Sequence, residues 1–159
     1  MKGVDVHIRP ATSEDLTVLA GREDGHRLSQ ASAAGWTVHV VEQDGELVAA
    51  GWLDPLGLPQ VEPTSPAVRL TPVGRMPVDV ISALVRTVEQ EANSAGHERL
   101  MVGWDPMDAH GLRRLAELGY RPTGRGPYFE LGHDQVQYVT GYQDAVGATL
   151  DLVKRFDRA

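Results

Sequence analysis

Residues 67–104 read AVRLTPVGRMPVDVISALVRTVEQEANSAGHERLMVGW, and this stretch decides the fold. Residues 67–71 predict a short strand, stopped by Pro72. Residues 100–104 are a continuous apolar run, the pattern of a strand buried on both faces. Between them Ile81, Leu84, Val85, Val88 and Ala92 recur at helical spacing, with Arg86, Glu89 and Gln90 off that stripe. The helix ends at Asn93-Ser-Ala-Gly96, where glycine can take the left-handed cap. A strand, helix, strand unit closes as a parallel pair with a right-handed crossover.

Upstream, Val4, Val6 and Ile8 alternate with Asp5, His7 and Arg9, a half-buried strand ended by Pro10. Thr12-Ser13-Glu14-Asp15 is a helix start, a hydroxyl cap followed by acids that suit the helix dipole. That helix should reach about Ala20, with a second short one over residues 23–33. Residues 36–42 and 47–53 read as a hairpin joined by Asp44-Gly45, a two-residue turn needing positive φ. Residues 54–66 hold four prolines and read as a loop.

Downstream, Asp108 can cap a helix with Leu112, Leu115 and Ala116 inward, ended by Gly119. Residues 121–123 and 128–131 read as a last strand pair around Gly124 and Gly126. A final helix is expected over residues 142–156, with Tyr142, Val146, Leu150, Val153 and Phe156 as an apolar stripe. An isolated helix of that length is marginal in water, so the stripe must be buried, against its own domain or across the twofold axis of a homodimer. The fold class is therefore α/β in an α+β arrangement: a mixed, mostly antiparallel sheet with helices on its faces. One domain spans residues 1–132, and residues 133–159 form an extension carrying the amphipathic helix.

Composition narrows the function. The chain has 159 residues, 42% hydrophobic and 23% charged, which suits one globular domain. The net charge of -7 disfavours nucleic acid as a partner and suits a cationic small-molecule substrate as well as plain solubility. No window approaches the roughly 20 apolar residues of a membrane span, so no membrane partner is expected. The first residues alternate like a strand and unlike a signal peptide, and with no cysteine present the expected location is the cytoplasm.

Three strings, in this order and spacing, carry a family resemblance: Ile8-Arg9-Pro10-Ala11-Thr12-Ser13-Glu14-Asp15-Leu16, Asp44-Gly45-Glu46-Leu47-Val48-Ala49-Ala50-Gly51, and Ala116-Glu117-Leu118-Gly119-Tyr120-Arg121-Pro122. Together they resemble the Gcn5-related N-acetyltransferase (GNAT) superfamily over about residues 4–132. The resemblance implies an acyl-CoA N-acyltransferase-like fold in which strands 67–72 and 99–104 are adjacent, parallel and splayed apart. It also implies acetyl-CoA as cofactor, held by strand 67–72 through Leu70 and Thr71 and by the following loop through Gly74 and Arg75.

The family's loop has the pattern Gln/Arg-x-x-Gly-x-Gly/Ala, whose amides hold the diphosphate at a helix N-terminus. Here the glycine positions fall on Val78 and Val80, or one residue on at Asp79 and Ile81, and Pro77 removes an amide donor. The loop is degenerate, and Asp79 places negative charge where phosphate would go. The family's usual tyrosine position is held by Leu115 and its asparagine position by Asp108. The candidate catalytic residues are Asp108 and His110, the histidine as a base near neutral pH; a helix cap and an exposed side chain are the plainer readings of the two.

None of the six histidines forms an i, i+4 metal pair, so no metal is expected. Trp36, Trp52 and Trp104 serve either the core or a substrate wall. Two functions follow: an acyltransferase acting on a small amine with acetyl- or acyl-CoA, or a repurposed domain of the same fold that works without CoA.

Overall fold

The computed structural model describes residues 6–20, 31–33, 35–54, 66–72, 78–132 and 135–156. In chain order these form strand β1 (Val6–Pro10), helix α1 (Ser13–Ala20), strands β2 (Val38–Gln43), β3 (Glu46–Asp54) and β4 (Ala67–Pro72), and helix α2 (Val78–Ser94). Then come β5 (Arg99–Trp104), α3 (Ala109–Glu117), β6 (Arg121–Pro122), β7 (Tyr128–Gly132), β8 (Gln135–Tyr138), a 3-10 turn (Tyr142–Ala145) and β9 (Leu150–Arg155). Residues 31–33 are helical, and the rest of the second expected helix lies outside the described residues.

Local chemistry sets the boundaries. At the start of α1, Thr12 and Asp15 form a reciprocal cap: the Asp15 amide donates to Thr12 Oγ1 at 3.2 Å and the Thr12 amide to Asp15 Oδ2 at 2.8 Å. The β2–β3 turn has positive φ at both Asp44 and Gly45, 54° and 81°, as a tight hairpin needs.

The main sheet has seven strands in the order β1-β2-β3-β4-β5-β9-β6, and β7 pairs only with β8 in a separate hairpin. Among the main-sheet neighbours β4 and β5 alone are parallel. Side chains alternate across the sheet. On one face Leu53, Val68, Leu100, Val102 and Leu152 pack under α2 and α3 with Ile81, Val85, Val88 and Leu115. On the other face α1 covers Val38, Val40, Ala50 and Trp52. Farther along that second face, Ala67, Met101 and Val153 lie beneath Tyr128 and Val136 of the β7–β8 hairpin.

Four expectations are corrected. Residues 142–156 are not a helix but a 3-10 turn and the strand β9, which lies between β5 and β6. The apolar spacing of Leu150, Val153 and Phe156 suits a helix, yet Leu150 and Leu152 also alternate at the strand period, and Gly147 breaks the chain at φ 81°. A partner on the open edge of β5 is required once that strand is buried, because its backbone groups must be paired; β9 supplies it from Arg99↔Arg155 to Trp104↔Leu150. Residues 133–159 are thus no appendage, since β9 completes the sheet of the domain. Residues 121–123 and 128–131 do not pair with each other: β6 pairs with β9, and β7 with β8. Ala116 is exposed, and Gly111 takes the inward place beside Leu115.

Candidate functional site

β4 and β5 are paired only at Ala67↔Met101 and Val68↔Val102, although both strands run on. The sheet therefore forks. Arg69 is the first residue past the fork on β4, and Gly103 the first on β5. Beyond it Leu70, Thr71 and Pro72 are paired with β3 alone, so one edge of β4 is free to take an extended ligand.

Charged groups gather at this fork, on the face away from α2 and α3. The Arg69 guanidinium, nearly buried, reaches Asp54 Oδ2 on β3 at 3.2 Å and Glu130 Oε2 on β7 at 3.0 Å. Burial works against the Arg69 charge, but Glu130 and then Asp54 more than reverse it, leaving its pKa above the ordinary value. Tyr128 is 1% exposed. Burial, and then the negative charge of Asp151, push its hydroxyl above the usual tyrosine range, so it stays protonated at neutral pH. Asp151 on β9 is itself fully buried and pairs with Gly103. Asp54 and Asp151 are the buried charged residues among those described, and both belong to this cluster.

A buried ionic network is a poor way to gain stability compared with apolar packing. Its place at the fork marks the functional end of the sheet. The Asp54–Arg69–Glu130 group can fix the hairpin over the fork, and the Tyr128 hydroxyl can donate a hydrogen bond there. Sequence reading missed these residues. The signal it could have used is Arg69, a full charge inside a short strand otherwise read as apolar.

The candidates from sequence fall elsewhere. Asp108 and His110 sit at the start of α3, on the opposite face of the sheet. Asp108 Oδ1 accepts from the Gly111 amide at 3.1 Å and Oδ2 from Trp104 Nε1 at 2.9 Å, so both oxygens are engaged in capping α3 and fixing the indole. His110 is exposed. Leu115 is fully buried core. Leu70 and Thr71 lie in β4 past the fork, while Gly74 and Arg75 lie outside the described residues. Asp79 stands in the first turn of α2, 84% exposed, with Arg114 Nη2 of α3 at 3.6 Å. Arg114 also bonds Glu117 at 3.1 Å.

Of the tryptophans, Trp52 is core, and Trp36 and Trp104 pack partly buried on the two faces. His39 bonds Glu91 of α2 at 2.8 Å. Among the described residues, no helix is long and apolar enough to cross a membrane.

No protein-family model and no curated protein matches the sequence. Solved structures do match. An N-acetyltransferase from Staphylococcus aureus Mu50 aligns over 95% of this chain and 98% of its own, with TM-score 0.67 and 13% identity. A ribosomal-protein-alanine N-acetyltransferase from Brucella melitensis aligns over 94% and 99%, with TM-score 0.64 and 16% identity. A GNAT superfamily phosphinothricin acetyltransferase from Sinorhizobium meliloti, in complex with acetyl-CoA, aligns over 95% and 88%, with TM-score 0.67 and 11% identity. The forked, mostly antiparallel sheet with helices on both faces is thus the acyl-CoA N-acyltransferase fold. The chain has the GNAT superfamily fold, as its three sequence strings led one to expect.

The residues fit acetyl-CoA at one end only. The unpaired edge of β4 past the fork suits the extended acyl-pantetheine arm. The first turn of α2, by contrast, presents the Asp79 carboxylate, and the nearest cation among the described ion pairs, Arg114, is already shared between Asp79 and Glu117.

Proposed function

We propose that the chain is a GNAT-like N-acyltransferase that moves an acyl group from acetyl- or acyl-CoA to a small amine. The observation that carries this reading is the fork, where β4 and β5 part after two residue pairs beside a buried charged cluster. CoA, when bound, supplies the acyl group as an activated thioester. The chain's own part is to hold the arm along the backbone of Leu70 and Thr71, with Arg75 as the cation for the diphosphate. The fork then exposes the acyl carbon to an amine and keeps water out by packing. The acidic balance of the whole chain, -7, favours a cationic amine over a carboxylate as the acceptor.

Asp79 favours a second reading, a repurposed domain that works without CoA. A phosphate about 4 Å from that carboxylate would meet repulsion on the order of 4 kcal/mol at an effective dielectric of about 20. Calorimetric titration with acetyl-CoA separates the two. Under the first reading the unmodified protein binds weakly, Asp79→Gly tightens binding several-fold and Arg75→Ala weakens it. No binding by either the unmodified protein or the Asp79→Gly variant leaves the second reading standing. Micromolar binding that neither change affects shows that the loop is not where the diphosphate lies.

A further inference from the structure

We infer that Tyr128 is the wall that sizes the acceptor pocket, restricting it to a small, narrow amine; this rests on the acyltransferase reading. One face of the fork is taken up by α2 and α3. The N-terminus of α2 follows β4 directly in the chain, so the donor's phosphate end belongs on that side. The acceptor must then reach the fork from the opposite face, and there it meets the β7–β8 hairpin.

Residues 123–149 leave the main sheet after β6 and return as β9. This excursion is fastened at its base. The Tyr128 amide donates to the Thr149 carbonyl at 2.8 Å and the Thr149 amide to the Tyr128 carbonyl at 2.6 Å. It is fastened again at Glu130, two residues along, by Arg69. Tyr128 is held between these two points, with its ring edge-on to Tyr138 at 6.3 Å between centroids.

The result is close contact with the first residue of β5 past the fork. A Cβ on Gly103 would come within 2.6 Å of Thr149 Cγ2 and 3.3 Å of the Tyr128 hydroxyl. No room for even a methyl group remains between the β5 backbone and this wall. An acceptor entering here must be slender, and its width is set by Tyr128 and not by the donor side.

The full-length protein, Tyr128→Ala and Glu130→Gln can be compared in two ways: acetyl transfer from acetyl-CoA to ethylamine against benzylamine, and calorimetric binding of benzylamine alone. The unmodified protein should prefer ethylamine at least tenfold in kcat/KM and show no benzylamine binding. Tyr128→Ala should erase or reverse that preference and bind benzylamine. Glu130→Gln, which loosens the hairpin but leaves the ring in place, should move both readings the same way by a smaller amount; it decides the matter if Tyr128→Ala does not fold. Equal use of both amines by the unmodified protein overturns the proposal. So does a folded Tyr128→Ala with unchanged preference and no benzylamine binding. If no variant acetylates either amine, the acyltransferase reading falls and calorimetry alone decides the wall: benzylamine bound by Tyr128→Ala but not by the parent keeps it, and any other pattern removes it.

Discussion

Asp15 serves two partners at the start of α1, closing the cap with Thr12 and accepting from the Arg9 guanidinium. The Arg9 hydrogen bond holds its carboxyl well below the usual carboxylate range. A depressed folded-state value means that the stabilisation is complete above the unfolded value, near 4, and is lost as pH falls toward the folded value. Asp15→Asn should therefore cost up to about 1 kcal/mol near neutral pH, the exposed pair being screened by solvent. The gap to the parent, followed by thermal melting, should shrink steadily below about pH 4. Gly111 makes a sharper residue-scale case. A Cβ there would overlap Trp104 Nε1 and come within 2.5 Å of Asp108 Oδ2, so Gly111→Ala must break the cap or displace the indole. The expected loss is about 1–3 kcal/mol in a denaturant melt, against the usual gain from replacing a helical glycine by alanine.

At the scale of elements, β9 is the piece on which the second half of the sheet depends. It pairs β5 along six residues and β6 along two. Lys154 then ties it to α2 through Glu89 at 2.6 Å, and Tyr120 bonds the same carboxylate at 3.2 Å. Ending the chain at Ala148 would leave β5 with one paired edge over two residues and uncover Leu100 and Val102. Such a truncation should give no soluble domain with a cooperative melt; a folded truncated protein would show that β9 is an accessory after all. The β7–β8 hairpin behaves differently. Two strands alone are marginal in water, so its order depends on Tyr128, Val136 and the Arg69–Glu130 pair.

At the scale of the whole molecule, two cores share one sheet, and the fork lies where the cover changes from α1 to the hairpin. The sequence by itself determined the first two thirds of this architecture. The capped start of α1, the Asp44-Gly45 turn, the amphipathic α2 and its parallel flanking strands were all legible, because each depends on contacts within a few residues or on a periodicity that only one structure satisfies. Asp108 as a helix cap was legible for the same reason. The C-terminal segment was not. Leu150, Val153 and Phe156 fit a helix and a strand alike, and the choice was made by the unpaired edge of β5, some fifty residues earlier in the chain. The charged cluster at the fork was equally hidden. Asp54, Arg69, Glu130 and Asp151 lie far apart in sequence, and no local rule joins them. Only the folding of a hairpin onto the sheet brings Glu130 to Arg69 and Tyr128 to Gly103, because burial obliges such charges to find partners wherever the tertiary structure offers them.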